Sequence, residues 1–177
     1  METLKAIALR QSVRAYKADQ IAEEALETIL KAACAAPVGR AKYENMQLTV
    51  VQSPEKMAEI REACGGAMDD PNANPTYSAP TLIVVSAKLD NDEITPISVA
   101  NAACIVENMH IAATELGLGS IFLFGFIRAL NMQNQLSPMI NLPKGWAPVA
   151  ALGVGYAANP LNERQPALGK IRTEYIR

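Results

Sequence analysis

The stretch that most restricts how this chain can fold is residues 96–116, a long apolar run with very little charge. Pro96 suits the first turn of a helix, and Gly117-Leu118-Gly119-Ser120 ends one. The run from Ile97 to Leu118 is interrupted by Asn101, Glu107, Asn108, His110 and Glu115. Those polar residues make it a buried helix and not a membrane span. A helix without a charged face must be covered on nearly all sides. A sheet supplies one cover, and a second subunit is the natural source of another. Composition agrees, since 50% of the 177 residues are hydrophobic and only 19% are charged. Such a chain builds a sizeable core and leaves a surface poorly suited to a monomer.

The remaining elements follow from periodicity. Residues 2–10 read as a short helix and 12–17 as extended chain, with Ala18-Asp19 as a cap. Ile21, Ala25, Leu26, Ile29, Leu30 and Ala33 form a helical stripe that stops before Pro37-Val38-Gly39. Met46, Leu48 and Val50 alternate with polar residues, so 46–51 is a strand. Ser53-Pro54-Glu55 opens a helix that stops at Gly65-Gly66. Residues 67–80, with Pro71, Pro75 and Pro80, form a long loop of the kind that often serves as a lid. Thr81 to Val85 is a strand apolar on both faces. Further on come a strand at 121–124, a short helix at 127–135, a turn at 142–145 and a last core strand at 148–156. A basic arm, 162–177, closes the chain. Helices interleaved with four or five strands predict an α+β or three-layer arrangement.

Several chemistries are excluded. The net charge of −2 lacks the basic excess of a nucleic-acid binder. With one histidine, His110, no His-rich metal site is possible, and that residue reads as a hydrogen-bonded core or interface group. Cys34, Cys64 and Cys104 are odd in number and far apart, and read as small buried hydrophobes in a reducing, cytoplasmic setting. Gly117-Leu118-Gly119 follows a helix and Gly153-Val154-Gly155 lies inside a strand, so neither is the strand-turn-helix glycine motif of a dinucleotide fold. Glu23-Glu24 and Asp69-Asp70 are adjacent pairs that point apart on a helix. No side-chain acid, base or nucleophile stands out. An enzyme built this way relies on a cofactor for its chemistry.

Arg10-Gln11-Ser12-Val13-Arg14 is the one polar constellation with a binding pattern. In an extended backbone Arg10, Ser12 and Arg14 share a face. Two guanidinium groups and a hydroxyl suit a phosphate, although the same spacing also fits a surface turn with solvated arginines. Basic residues gather at both ends of the chain, including Arg164, Lys170, Arg172 and Arg177, as for a small anion held where the termini meet, or for two solvated tails.

Arg10 to Tyr16 also resembles the Arg-x-Ser-[Val/Ile]-Arg-x-[Phe/Tyr] signature of the FMN-dependent nitroreductase family. Four further stretches are similar in order and spacing: Ala35-Ala36-Pro37, Ser78 to Val85, Glu107 to Ser120, and Leu152 to Tyr156 with Arg164 beyond. The resemblance spans nearly the whole chain. It implies a single domain over 1–177 with a three-layer sandwich, a central, mostly antiparallel sheet and a long central dimer helix. It implies a homodimer with FMN at the interface and the 162–177 arm packed on the partner subunit. Arg10 and Ser12 would hold the phosphate and ribityl end of FMN, helped by Arg164, with Gln11 also among the cofactor-binding residues. Arg14 would lie near the pyrimidine edge of the flavin. Pro37, Val38 and Gly39 would pack at the flavin edge from the partner subunit, and the backbone of Leu123, Phe124 and Gly125 would approach the flavin N5. The family loop's Ser and Gln-Pro-Trp are missing here, where 36–45 reads Ala-Pro-Val-Gly-Arg-Ala-Lys-Tyr-Glu-Asn.

By resemblance, then, the chain is an NAD(P)H-dependent FMN oxidoreductase. Hydride passes from NAD(P)H to FMN and on to a small-molecule acceptor such as a nitroaromatic or quinone, in ping-pong order. A flavin-binding carrier or sensor without efficient turnover is the alternative reading. Arg40 and Lys42 are either contacts for a nicotinamide nucleotide phosphate or simply solvated.

Overall fold

Strand β2 (Thr81–Lys88) is buried from Thr81 to Ala87 and forms the spine of the fold. The computed structural model describes residues 2–70, 72–132 and 135–177. β2 pairs antiparallel with β1 (Met46–Val51) on one side and with β4 (Trp146–Gly155) on the other, and β4 pairs antiparallel with β3 (Gly119–Leu123). The sheet order is β1-β2-β4-β3.

Side-chain alternation along these strands builds two cores, one on each face. Ile83 and Val85 of β2 join Leu152 and Val154 of β4 beneath helices α2 (Glu23–Cys34) and α4 (Pro96–Glu115). Leu82, Val84 and Ala151 face the other way, with Ile121 and Leu123 of β3. There they meet α3 (Pro54–Met68), α5 (Gly125–Met132) and α6 (Leu136–Met139). Helices therefore cover both faces, which is the expected three-layer α+β arrangement, with four antiparallel strands.

Local chemistry sets the helix ends. Thr95 caps α4 by accepting the Ser98 N–H at 3.2 Å, and Pro96 occupies its first turn. After α4, Gly117 takes a left-handed turn at φ 74°, which lets β3 start immediately. Ser53 caps α3 through the Lys56 N–H.

Four expectations need correction. α2 begins at Glu23 with Ala22 before it, not at Ala18-Asp19. Gln20 is held extended instead: its side chain donates to Pro80 O at 2.7 Å and accepts from the Thr81 hydroxyl at 2.7 Å. α3 runs through Gly65-Gly66 to Met68, because Cys64 and Gly65 are buried in the packed helix; packing outweighs a glycine penalty of about 1 kcal/mol per residue. The helix expected at 127–135 is α5, which already starts at Gly125, and a further short helix, α6, follows beyond it; residues 133–134 lie outside the described residues, as does Pro71 of the expected lid loop. Of the cysteines only Cys64 is buried, since Cys34 and Cys104 point outward from α2 and α4.

The outer side of α4 carries exposed apolar and small residues. Ile97, Ala100, Ala103 and Cys104 are all exposed there, with Ile97 50% accessible. α2, on the same face of the sheet, turns Glu23, Glu24, Glu27 and Lys31 outward. Among the described residues, no helix is long and apolar enough to cross a membrane.

Candidate functional site

The segment after α1 (Thr3–Leu9) is stitched to the sheet at both ends. The Val13 N–H donates to Ser120 O at 3.0 Å, next to the parallel bridge between Ser12 and Ser120. The Lys17 N–H donates to Tyr156 O, and the Ala158 N–H to Ala15 O. Arg14 is thereby fixed between two anchored stretches of backbone.

A cavity of about 300 Å³ opens beside it, lined by Ser12, Arg14, Met68, Pro75, Tyr77 and residues 121–125. Five of the expected site residues thus meet in one place: Ser12, Arg14, Leu123, Phe124 and Gly125. Gly125 starts α5, and a Cβ built there would meet no atom within 4 Å, so the glycine keeps part of the cavity open. An adjoining cavity of about 290 Å³ shares Ser12 and Arg14 and adds Gln11 with Asn159 to Asn162.

Arg14 lies 5.7 Å from the centre of the Tyr77 ring, a cation–π contact. Tyr77 and Ser78 both adopt positive φ, 52° and 57°. That turn brings the ring to the cavity wall. The Tyr16 hydroxyl donates to Val13 O at 2.9 Å. Burial pushes its pKa well above the ordinary phenol range, with the nearby Arg14 charge opposing the shift, so the group stays protonated.

Arg10 and Arg164 lie beside this cavity and do not line it. Arg10 is the C-cap of α1, so the two-residue alternation begins only at Ser12. Its guanidinium sits 3.6 Å from the Glu107 carboxylate. Arg164 caps the end of α1, donating to Ile7 O at 2.8 Å and Ala8 O at 3.2 Å.

Beneath this cluster lies His110, buried on α4, with Nδ1 2.6 Å from the Ser120 hydroxyl. Burial lowers its pKa to about 4, and the Arg10 and Arg164 charges add to that, so the ring is neutral near pH 7. As expected from sequence, it is a hydrogen-bonded core residue.

Pro37, Val38 and Gly39 lie elsewhere. Val38 is buried in the α2/α4 core and Pro37 is exposed. The Gly39 N–H donates to Asn101 Oδ1 at 2.9 Å, near the start of α4. His110 is nine residues further along α4, about 14 Å at the helical rise of 1.5 Å per residue. Within one chain the two groups of expected site residues therefore do not meet.

Sequence reasoning missed Tyr77. The only signal was an aromatic residue in a long Asn- and Pro-rich loop. Met68 and Pro75 were missed with it, so both ends of the suspected lid loop reach the cavity wall.

The site is thus a cationic, partly aromatic cleft at the end of an antiparallel sheet, in a three-layer α+β domain. The chain belongs to the nitroreductase family, whose sequence model matches residues 7–156. An Archaeoglobus fulgidus protein described as a putative NADH dehydrogenase/NAD(P)H nitroreductase is 30% identical over 155 residues, covering 88% of this chain and 85% of its own. A Bacillus subtilis FMN reductase (NADPH) is 26% identical over 180 residues, covering 95% of this chain and 70% of its own. The crystal structure of a Bacteroides fragilis nitroreductase with bound FMN superposes with a TM-score of 0.82 at 27% identity, covering 99% of this chain and 100% of that one.

Proposed function

We propose that this chain is an FMN-dependent NAD(P)H oxidoreductase that works as a homodimer and passes hydride to a small acceptor in ping-pong order. The observation that carries the reading is the convergence of Ser12, Arg14 and the Leu123–Gly125 backbone on one cavity. The donor set fits FMN: a hydroxyl and a guanidinium at one wall, Tyr77 and Phe124 as aromatic neighbours, and open space at Gly125.

FMN, when bound, supplies the hydride-transfer chemistry. Ser12 and Gln11 would donate to its polar chain. Arg10 would reach the phosphate by leaving Glu107, a partly exposed ion pair that costs little to break. Arg164 adds positive charge on the same side. Arg14 holds a fixed cation where negative charge develops during reduction, and the Tyr77 ring limits its wandering. Pro75 and Tyr77 shield that wall from water.

Two unfinished surfaces support the dimer. One is the exposed apolar side of α4. The other is the 162–177 arm, where Leu168 and Ile176 are almost fully exposed. Each finds cover on a second copy, and Pro37 to Gly39 then reach the partner's flavin. A cytoplasmic setting suits the unpaired Cys34 and Cys104.

The test is spectroscopic. The purified chain, reconstituted with FMN, should be yellow, and anaerobic NADH or NADPH should bleach it. A chain that retains no FMN refutes the reading. One that stays yellow with both nucleotides is a flavin carrier instead.

A further inference from the structure

Another cavity, larger than the two beside Arg14, shares no lining residue with either of them. It has a volume of about 460 Å³ and lies at the start of α4, where Arg40, Lys42 and Lys88 line it together with Asp90, Asn45 and Asn101. Three cations thus face one carboxylate. Lys42 already has a partner, Glu44, at 3.3 Å. Arg40 and Lys88 have no ion-pair partner among the described residues.

The backbone is shaped to hold this charge. Arg40 and Ala41 both adopt positive φ, 58° and 53°, at a cost of roughly 1–2 kcal/mol each for non-glycine residues. That turn is held from α4 by the Asn101 side chain, which accepts the Gly39 N–H. Lys88 comes from the end of β2, opposite Trp146 of β4. The cations therefore sit on two separate elements and converge on one space.

We propose that this cavity binds the phosphate-bearing end of the reducing dinucleotide. Guanidinium and ammonium groups are phosphate ligands. Asp90 and the two carboxamides are suited to ribose hydroxyls, as a carboxylate is in other dinucleotide sites. A site with both kinds of group matches a nucleotide better than a bare anion. The assignment rests on the oxidoreductase reading above. In that dimer Pro37 to Gly39 would lie against the partner's flavin, and Gly39, which also lines this cavity, would set it near the ring that takes the hydride.

Calorimetry on the flavin-reconstituted full chain tests this with two probes, adenosine 2′,5′-bisphosphate and adenosine diphosphate. The wild type should bind at least one, and Arg40→Glu and Lys88→Glu should each weaken that binding about tenfold, with flavin content unchanged. Weakening confined to the bisphosphate assigns the cavity to a 2′-phosphate and hence to NADPH. Equal weakening of both probes assigns it to the diphosphate common to NADH and NADPH. Absence of binding in the wild type, or equal binding in wild type and both variants, overturns the proposal. Failure of either dinucleotide to bleach the wild-type flavin would instead sink the oxidoreductase reading, while the fragment titration would still report on the cavity.

Discussion

Two regions of this chain hold the residues proposed to bind ligands, and they are built differently. The cleft at Ser12 and Arg14 is made of anchored backbone, with Val13 tied to Ser120 and a buried His110 beneath. The region at Pro37 to Lys42 is a turn with two positive-φ residues, held to α4 by one side-chain hydrogen bond from Gly39 to Asn101. The first looks like half of a rigid ligand seat, the second like a strained finger. The exposed apolar side of α4 includes Ala100, Ala103 and Cys104, between the two. A two-fold dimer along that side would let the finger of one chain complete the seat of the other.

The largest effect should come from cutting the two regions apart. Ala103→Glu places a charge on the exposed side of α4 and should yield a monomer by size-exclusion chromatography, with at least about tenfold loss of FMN affinity from an unpaired buried carboxylate. Glu27→Ala, on the charged outer side of α2, should leave both unchanged; its ion pair with Lys31 is exposed.

Acid should loosen the seat before the finger. His110 titrates near 6.5 when unfolded and near 4 when folded. Between those values the unfolded chain binds the extra proton, so stability falls as pH falls. From pH 7 to pH 5 the loss should be about 2 kcal/mol in urea unfolding. His110→Gln should flatten that window, and hydrogen exchange at pH 5 should rise first around Ser120. Uniform loss, or none, would remove the distinction between the regions.

A smaller effect is expected from Arg14→Ala. Losing one charge-assisted contact should raise the FMN dissociation constant about tenfold and slow flavin reduction by NAD(P)H. Wild-type values for both would show that Arg14 is not part of the seat.

Much of this architecture was legible in the residues. Met46, Leu48 and Val50 gave β1 its limits, and the charge-poor run after Pro96 gave α4. The start of α2 was not legible, because Gln20 is held by Pro80 and Thr81, some sixty positions away in sequence. The end of α3 was hidden by Gly65-Gly66, where packing overrides propensity. In the seat, Ser12, Arg14 and Gly125 could be named from local pattern. Tyr77 could not, because its place depends on a turn with positive φ that no periodicity announces. Arg10's neighbour Glu107 was likewise invisible, as the contact joins α1 to α4.

The most direct test of the shared site is complementation. Arg14→Ala damages the seat, and Pro37→Glu damages the finger at an exposed residue without touching the core. Each homodimer then lacks every intact site. A heterodimer of the two keeps one, made from the Arg14 of one chain and the Pro37 of its partner. Dissociating the two variants and reassembling them together should restore about a quarter of wild-type flavin-dependent NAD(P)H oxidation per site for random pairing of a two-fold dimer. Activity no greater than the sum of the separate variants would contradict a site built across two chains.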